Sequence, residues 1–227
     1  MAPVEGPEGD SAARRFTPAL GFSVLTPAFD TTIALLTRER HWRAILCRRI
    51  ALAPGERLVD IGCGTGSLAI RLSRQLPNAA IHGIDPDSAV LAIARKKALR
   101  QKAEISFHQG FLSESFLAEF GPFDVVTSSL VFHQVPLREK SNIIGLMRRG
   151  LRPGGRVVVA DYGWQRTPAM RVLFRATVQT LDGVADTQPN ADGVLPTLFR
   201  SAGFERVAET DVIQTATGSI SIYSAAR

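Results

Sequence analysis

With 227 residues and 45% hydrophobic content, the chain is long enough for one large domain with a packed core. No apolar run reaches the roughly 18 residues of a membrane span, and the two cysteines, Cys47 and Cys63, supply neither a disulfide framework nor zinc spacing. The formal charge of +6 comes mostly from arginines grouped near 38–49, 95–102 and 148–156. Without an aromatic-interleaved basic stripe, these read as solvated helix faces and helix C-termini rather than a nucleic-acid surface.

Met1 to Asp10 is rich in Pro, Gly and acid and lacks an apolar signal core, and residues 1–15 are expected to be a disordered tail. With reduced cysteines, a cytoplasmic location is expected. Residues 16–53 read as a helical segment. Phe16 to Phe29 is apolar but broken by Pro18 and Pro27. From Thr31 onward Ile33, Leu36, Trp42, Ile45, Leu46 and Ile50 recur near helical spacing, and Pro54-Gly55 ends the pattern.

Leu58, Val59 and Ile61 then form a short apolar run, as in a strand buried on both faces. It leads into Gly62, Gly64 and Gly66, after which Leu68, Ala69, Ile70, Leu72 and Leu76 return to helical spacing. Strand, glycine turn and helix open a nucleotide-binding βαβ unit, with helix-start amides facing the ligand. The spacing is not the dinucleotide G-x-G-x-x-G, because the third glycine comes one residue early, which disfavours a dehydrogenase. An acid, Asp60, sits at the strand end, and a second strand, Ala79 to Ile84, ends in Asp85, about 20 residues past the loop, where a carboxylate can accept ribose hydroxyls.

D-x-G-x-G-x-G at Asp60 to Gly66, with Asp85 ending the next strand, resembles the class I S-adenosylmethionine-dependent methyltransferases over roughly residues 50–227. The resemblance implies a Rossmann-like, doubly wound α/β fold. Its seven-stranded sheet would be mostly parallel with an antiparallel edge strand, and a helical lid would precede it at 16–53. The core would span 54–227, with a helical cap inserted at about 165–190. It also implies S-adenosylmethionine as cofactor, held by Asp60, Gly62, Gly64, Gly66, Asp85 and Pro86, with Cys63 a small neutral filler in the loop. Arg43 or Arg40, in the lid, would meet the cofactor carboxylate; surface charge beside a buried Trp42 is the alternative.

Beyond Asp85, Asp87 or Ser88 caps a helix carrying Val90, Leu91, Ala94 and Ala98. A third strand, Ile105 to Gln109, ends at Gly110-Phe111. In the family this junction contacts adenine, usually with an acid. Here Phe111 would pack on the ring or its amide would bind a ring nitrogen, unless it is simply core. A fourth strand, Phe123 to Ser129, would offer a backbone carbonyl near Ser128 to the cofactor amine. His133 follows, the titratable side chain with a route to the methyl group, expected as general base or as a shaper of the pocket. His82 and His108 fall in strand patterns and are expected to be structural.

A helix over 136–150 and a sharp turn at Pro153-Gly154-Gly155 precede a fifth strand, Val157 to Ala160. The cap would hold an amphipathic helix from Pro168 to Leu181, with Met170, Leu173, Phe174, Val178 and Leu181 apolar and Arg166, Arg171 and Arg175 polar. A helix near Gly193 to Ala202 and two strands, about Arg206 to Asp211 and Ser219 to Ala225, would complete the sheet with an antiparallel edge.

The chain lacks the Asn/Asp-Pro-Pro-aromatic tetrad of exocyclic-amine nucleic-acid methyltransferases, the cysteines of arsenic methyltransferases, and a Pro-Cys nucleophile. What remains resembles the quinone- and natural-product-type enzymes, implying a small, apolar or aromatic acceptor. An RNA or protein substrate, or cofactor binding without methyl transfer, are the alternatives; a homodimer is left open.

Overall fold

The structure is a computed structural model and describes residues 37–227. The expected tail at 1–15 and the lid residues 16–36 lie outside the described residues. The described part of the segment expected to form a lid holds α1 (Glu39–Ile50), whose Trp42, Leu46 and Ile50 are buried on one face. Arg156 ties its end to the sheet, donating to the carbonyls of Ile50 and Ala51 and to the Glu56 carboxylate.

Among the described residues, one sheet is built from β1 (Arg57–Ile61), β2 (Ala80–Asp85), β3 (Ser106–Gln109), β4 (Phe123–Ser129), β5 (Leu151–Tyr162), β6 (Glu205–Thr215) and β7 (Gly218–Ala226). Their order is β3-β2-β1-β4-β5-β7-β6. β1 to β5 pair in parallel, and β7 runs antiparallel to both β5 and β6. The antiparallel edge is thus a pair whose reversed strand, β7, lies one place in. Only Ala216 and Thr217 separate β6 from β7, and a link that short permits only a hairpin.

The core lies on both sheet faces because strand side chains alternate. Leu58, Val125 and Val158 face a cluster with Trp42, Leu46, Leu68 and Leu72. Val59, Val126, Val157 and Val159 face one with Phe116, Ile144, Met147 and Phe199. The first side carries α1 and α2 (Ser67–Gln75), with α3 (Ser88–Arg100) packed on α2; the second carries α4 (Glu114–Phe120), α5 (Leu137–Gly150) and α9 (Leu195–Ser201).

Two local expectations change. β5 begins at Leu151 rather than after the glycine pair. Leu151 lies opposite Phe123 and Arg156 opposite Val125, so Arg152 to Gly155 bulge out, with Gly154 at φ 77°. Arg152 meets Asp124 at 2.8 Å beside this bulge. The cap helix also changes register. α6 (Pro168–Phe174) runs into a π turn, Arg175–Gln179, and then α7 (Thr180–Asp182). Met170, Phe174 and Val178 are buried, but the extra residue of the π turn rotates Leu181 outward, and Leu173 is exposed too. Gly183, at φ 83°, separates α7 from α8 (Val184–Ala191), a helix absent from the sequence reading because it contains Asp186 and Pro189.

Candidate active site

The strand order reverses between β1 and β4, opening a crevice at their carboxyl ends. Each glycine at the tip of β1 has its own reason. Gly62 (φ 66°) lies under Val131, where a Cβ would come within 2.4 Å of Cγ2. Gly66 (φ 71°) lets the start of α2 approach Phe107 and Ala94, which a Cβ would meet at 2.9 and 3.1 Å. Gly64 (φ 52°) has nothing within 4 Å of a built Cβ, so bare backbone faces the crevice. Cys63 is buried, and its Sγ would lie 2.9 Å from a Cβ at Gly83. Burial pushes its thiol well above the usual range, so it fills space as a neutral group. From α3, Lys97 donates to Thr65 Oγ1 at 3.0 Å and Ser67 Oγ at 2.8 Å, bracing the loop.

Asp60 points from β1 to the α1 side of the sheet. It is fully buried, and neither carboxylate oxygen has a hydrogen-bond partner among the described residues. Burial pushes its pKa up to about 7, with Arg43 opposing and Asp85 adding to the rise. Arg43 donates to Glu39 at 2.7 Å and lies 4.7 Å over the Trp42 ring. The structure therefore brings Arg43 into the field of Asp60, while Arg40 is exposed.

Asp85 is also buried. Its Oδ2 accepts the Gly64 amide at 2.8 Å and its Oδ1 the Asp87 amide at 3.0 Å, joining the loop to the start of α3. Asp87 caps that helix through the amides of Ala89 and Val90. Pro86 is half-buried beside it. Gly110 donates to the Asp85 carbonyl at 3.0 Å, which sets Gly110-Phe111 next to Asp85; Gly110 has no neighbour within 4 Å of a Cβ, and Phe111 is 44% exposed. Ser128 lies near the carboxyl end of β4. It is fully buried one residue short of the strand end, and its hydroxyl donates to the Ile61 carbonyl at 2.8 Å. Its side chain locks β1 to β4, and Leu130 (φ 56°) stands just beyond the strand.

A buried, unpaired carboxylate beside open backbone is what a cationic nucleoside requires. The residues present fit S-adenosylmethionine. An unpaired acid lies at Asp60, an acid ends β2, a cation stands on α1, and open backbone lies at Gly64 and Gly110.

His133 sits in the 3₁₀ turn Phe132–Gln134 and is buried. Its Nδ1 is 2.9 Å from Asp161 Oδ1 and its Nε2 is 3.4 Å from Asp182 Oδ2. Burial alone would lower its pKa; Asp161 and then Asp182 outweigh burial and lift it to about 9. Both ring nitrogens face carboxylate oxygens, which favours the doubly protonated form, and in that form the ring has no lone pair to act as a base.

Asp161, near the end of β5, was not singled out by sequence. It accepts the amides of Phe132 (2.7 Å), His133 (3.2 Å) and Tyr162 (2.8 Å), the His133 ring, and Asn190 Nδ2 (3.3 Å). An acid at the carboxyl end of a parallel strand was the available signal. Its partners are remote in sequence, so the hub itself was not legible. His82 and His108 are structural as expected, with Nδ1 and Nε2 3.0 Å apart among Phe116, Phe120 and Phe123.

Known proteins of similar sequence and fold point to a family. The methyltransferase domain family matches residues 58–155. A demethylmenaquinone methyltransferase of Thermus thermophilus is 32% identical over 165 residues, covering 70% of this chain and 71% of that protein. Among solved structures, the magnesium protoporphyrin IX methyltransferase ChlM of Synechocystis, with bound SAH, superposes with a TM-score of 0.67 at 21% identity, covering 92% of this chain and 90% of that one. An O-methyltransferase family protein of Burkholderia thailandensis gives 0.69 at 19% identity, covering 87% of this chain and 58% of that longer one. At these identities the structures speak for the fold. The curated relative, aligned over most of both chains, carries the conclusion: the chain belongs to the class I S-adenosylmethionine-dependent methyltransferases.

Proposed function

We propose that this methyltransferase acts on a small, ring-bearing acceptor with an ionisable hydroxyl, of the quinol type. The Thermus thermophilus relative's name, demethylmenaquinone methyltransferase, supports that acceptor class. The observation that carries the cofactor half is Asp60, a buried carboxylate with no partner beside the open backbone of Gly64.

In this reading Asp60 takes the cofactor's amino group and Arg43 its carboxylate. Gly62, Gly64 and Gly66 shape the loop against which it lies. Asp85 accepts the ribose hydroxyls with Pro86 alongside, and Gly110 and Phe111 border the adenine. The bound cofactor supplies an activated methyl carbon, so the chain's task is alignment, exclusion of water and handling the acceptor's proton. The site is taken as cytoplasmic, and nucleic acid is not its substrate.

The test pairs calorimetry with product analysis. S-adenosylmethionine should bind and NADH should not. With a methyl-labelled donor, label should pass to a reduced naphthoquinone and not to RNA. Cofactor binding with label passing only to RNA or protein would overturn the acceptor reading.

A further inference from the structure

Around His133 the two carboxylates are not equivalent. Asp161 is fully buried and held by four donors besides the ring. Asp182 makes the longer contact, 3.4 Å, and its side chain is 31% exposed. It is the last residue of α7, directly before Gly183 at φ 83°, where the cap chain changes direction. Nδ1 therefore faces a fixed partner on the sheet, and Nε2 an exchangeable one on the cap.

The remaining groups around the ring agree. Tyr162 stands edge-on with ring centroids 5.0 Å apart, and its hydroxyl is engaged with Thr217 at 2.8 Å. Lys140, buried on α5, feels the charge of Asp161 and of Asp186 and donates to the Asp186 carbonyl at 2.6 Å. None of these competes for Nε2.

We infer that Asp182 gates His133: the cap carboxylate occupies the position on Nε2 that the acceptor's hydroxyl takes, and must withdraw before His133 can receive a proton. The identity of the incoming group rests on the proposed acceptor class; the gate itself rests on the ion pair. With Asp182 in place the ring carries two protons. When it leaves, the Nε2 proton is lost to solvent, and Nδ1–H stays on Asp161. The acceptor's O–H bond then breaks toward Nε2; the proton forms the new N–H bond and the electron pair stays on oxygen. His133 is thus a base in the open state only, and Asp182 is a positioning residue.

The test uses the full chain as wild type, Asp182→Asn and, to assign the ring signal, His133→Gln. Titrating the imidazole by nitrogen-15 NMR should place the wild-type midpoint near 9. Removing one carboxylate charge should lower it by about one pH unit or more in Asp182→Asn. Amide exchange across Pro168–Asp182 should rise about threefold or more, and the acidic limb of kcat/KM should move down with the midpoint. An unchanged midpoint overturns the gate. A moved midpoint with unchanged cap exchange also overturns it, because the pair would then form without holding the cap. The midpoint and the exchange rates need no acceptor, so failure to methylate a naphthoquinol would count against the substrate reading alone.

Discussion

Asp60 and Asp161 are both wholly buried, each one residue short of the end of a parallel strand, yet they sit in opposite states. Asp60 has no hydrogen-bond partner among the described residues, whereas Asp161 gathers five donors. A saturated carboxylate organises its surroundings: Asp161 holds the turn after β4, the cap's Asn190 and the His133 ring together. An unsaturated one costs folding free energy and persists where a ligand will satisfy it. The chain therefore leaves the crevice incomplete at Asp60, and around Asp161, which we propose borders the acceptor, its own groups close it.

The largest effect should come from Asp161→Ala. It strands a buried imidazolium and several amides, and breaking such a network costs about 3–5 kcal/mol. Urea unfolding should show this, with the loss greatest below neutrality. The sign follows from His133, whose folded pKa is raised. Its contribution is fully present below the unfolded value of 6.5 and disappears as pH rises through about 9. A loss under about 1 kcal/mol would mean that Asp161 is no hub.

Gly64→Val should come next. The side chain would fill the open face of the loop, and the positive φ adds about 1–2 kcal/mol of backbone strain. Cofactor titration should show binding abolished while the protein remains folded. Undiminished affinity would remove the crevice from the cofactor site.

Asp60→Asn sharpens the contrast from the other side. Burial raises Asp60 from 3.8 to about 7, so ionised Asp60 weakens the ligand-free fold increasingly as pH rises between those values. The neutral amide should raise ligand-free stability by about 1–3 kcal/mol at pH 8 and change it little at pH 4. Cofactor affinity should fall at the same time. Chemical denaturation at the two pH values, with and without S-adenosylmethionine, separates these effects; a destabilised apo protein at pH 8 would show that Asp60 is already satisfied.

The smallest effect lies away from both sites. Burial lowers His82 to about 4, and His108 also falls. A neutral pair of this kind loses stability as pH drops from about 6.5 toward 4. His108→Gln should flatten that acid limb in a thermal melt without touching cofactor binding, and an unchanged acid limb would show that the pair does not titrate in this way.

Much of the cofactor half was legible because its parts are close in sequence. Asp60 to Gly66 is one strand and one turn, and Asp85 is the next strand's end. The spacing that marks a glycine loop is a local backbone requirement, readable without knowing what packs around it. Local patterns also placed the buried strands and the helices on either side. They did not place the π turn, which turned Leu181 outward, or α8, whose Asp186 and Pro189 mask its periodicity. Nor did they show that the Ser128 side chain locks β1 to β4, because register is not a local property; the pairing puts Ser128 against Ile61 and Val159, inside the sheet.

The amino-acid order by itself determined the parallel core, the glycine crevice and the acids that flank it, because each depends on side-chain alternation, chirality and contacts within a few residues. The charge state of His133, the hub at Asp161 and the reach of Asp182 were decided only by the folded chain. A pKa depends on which charges lie within a few ångströms and how much water is excluded, and here those charges come from segments 28 and 49 positions further along the sequence.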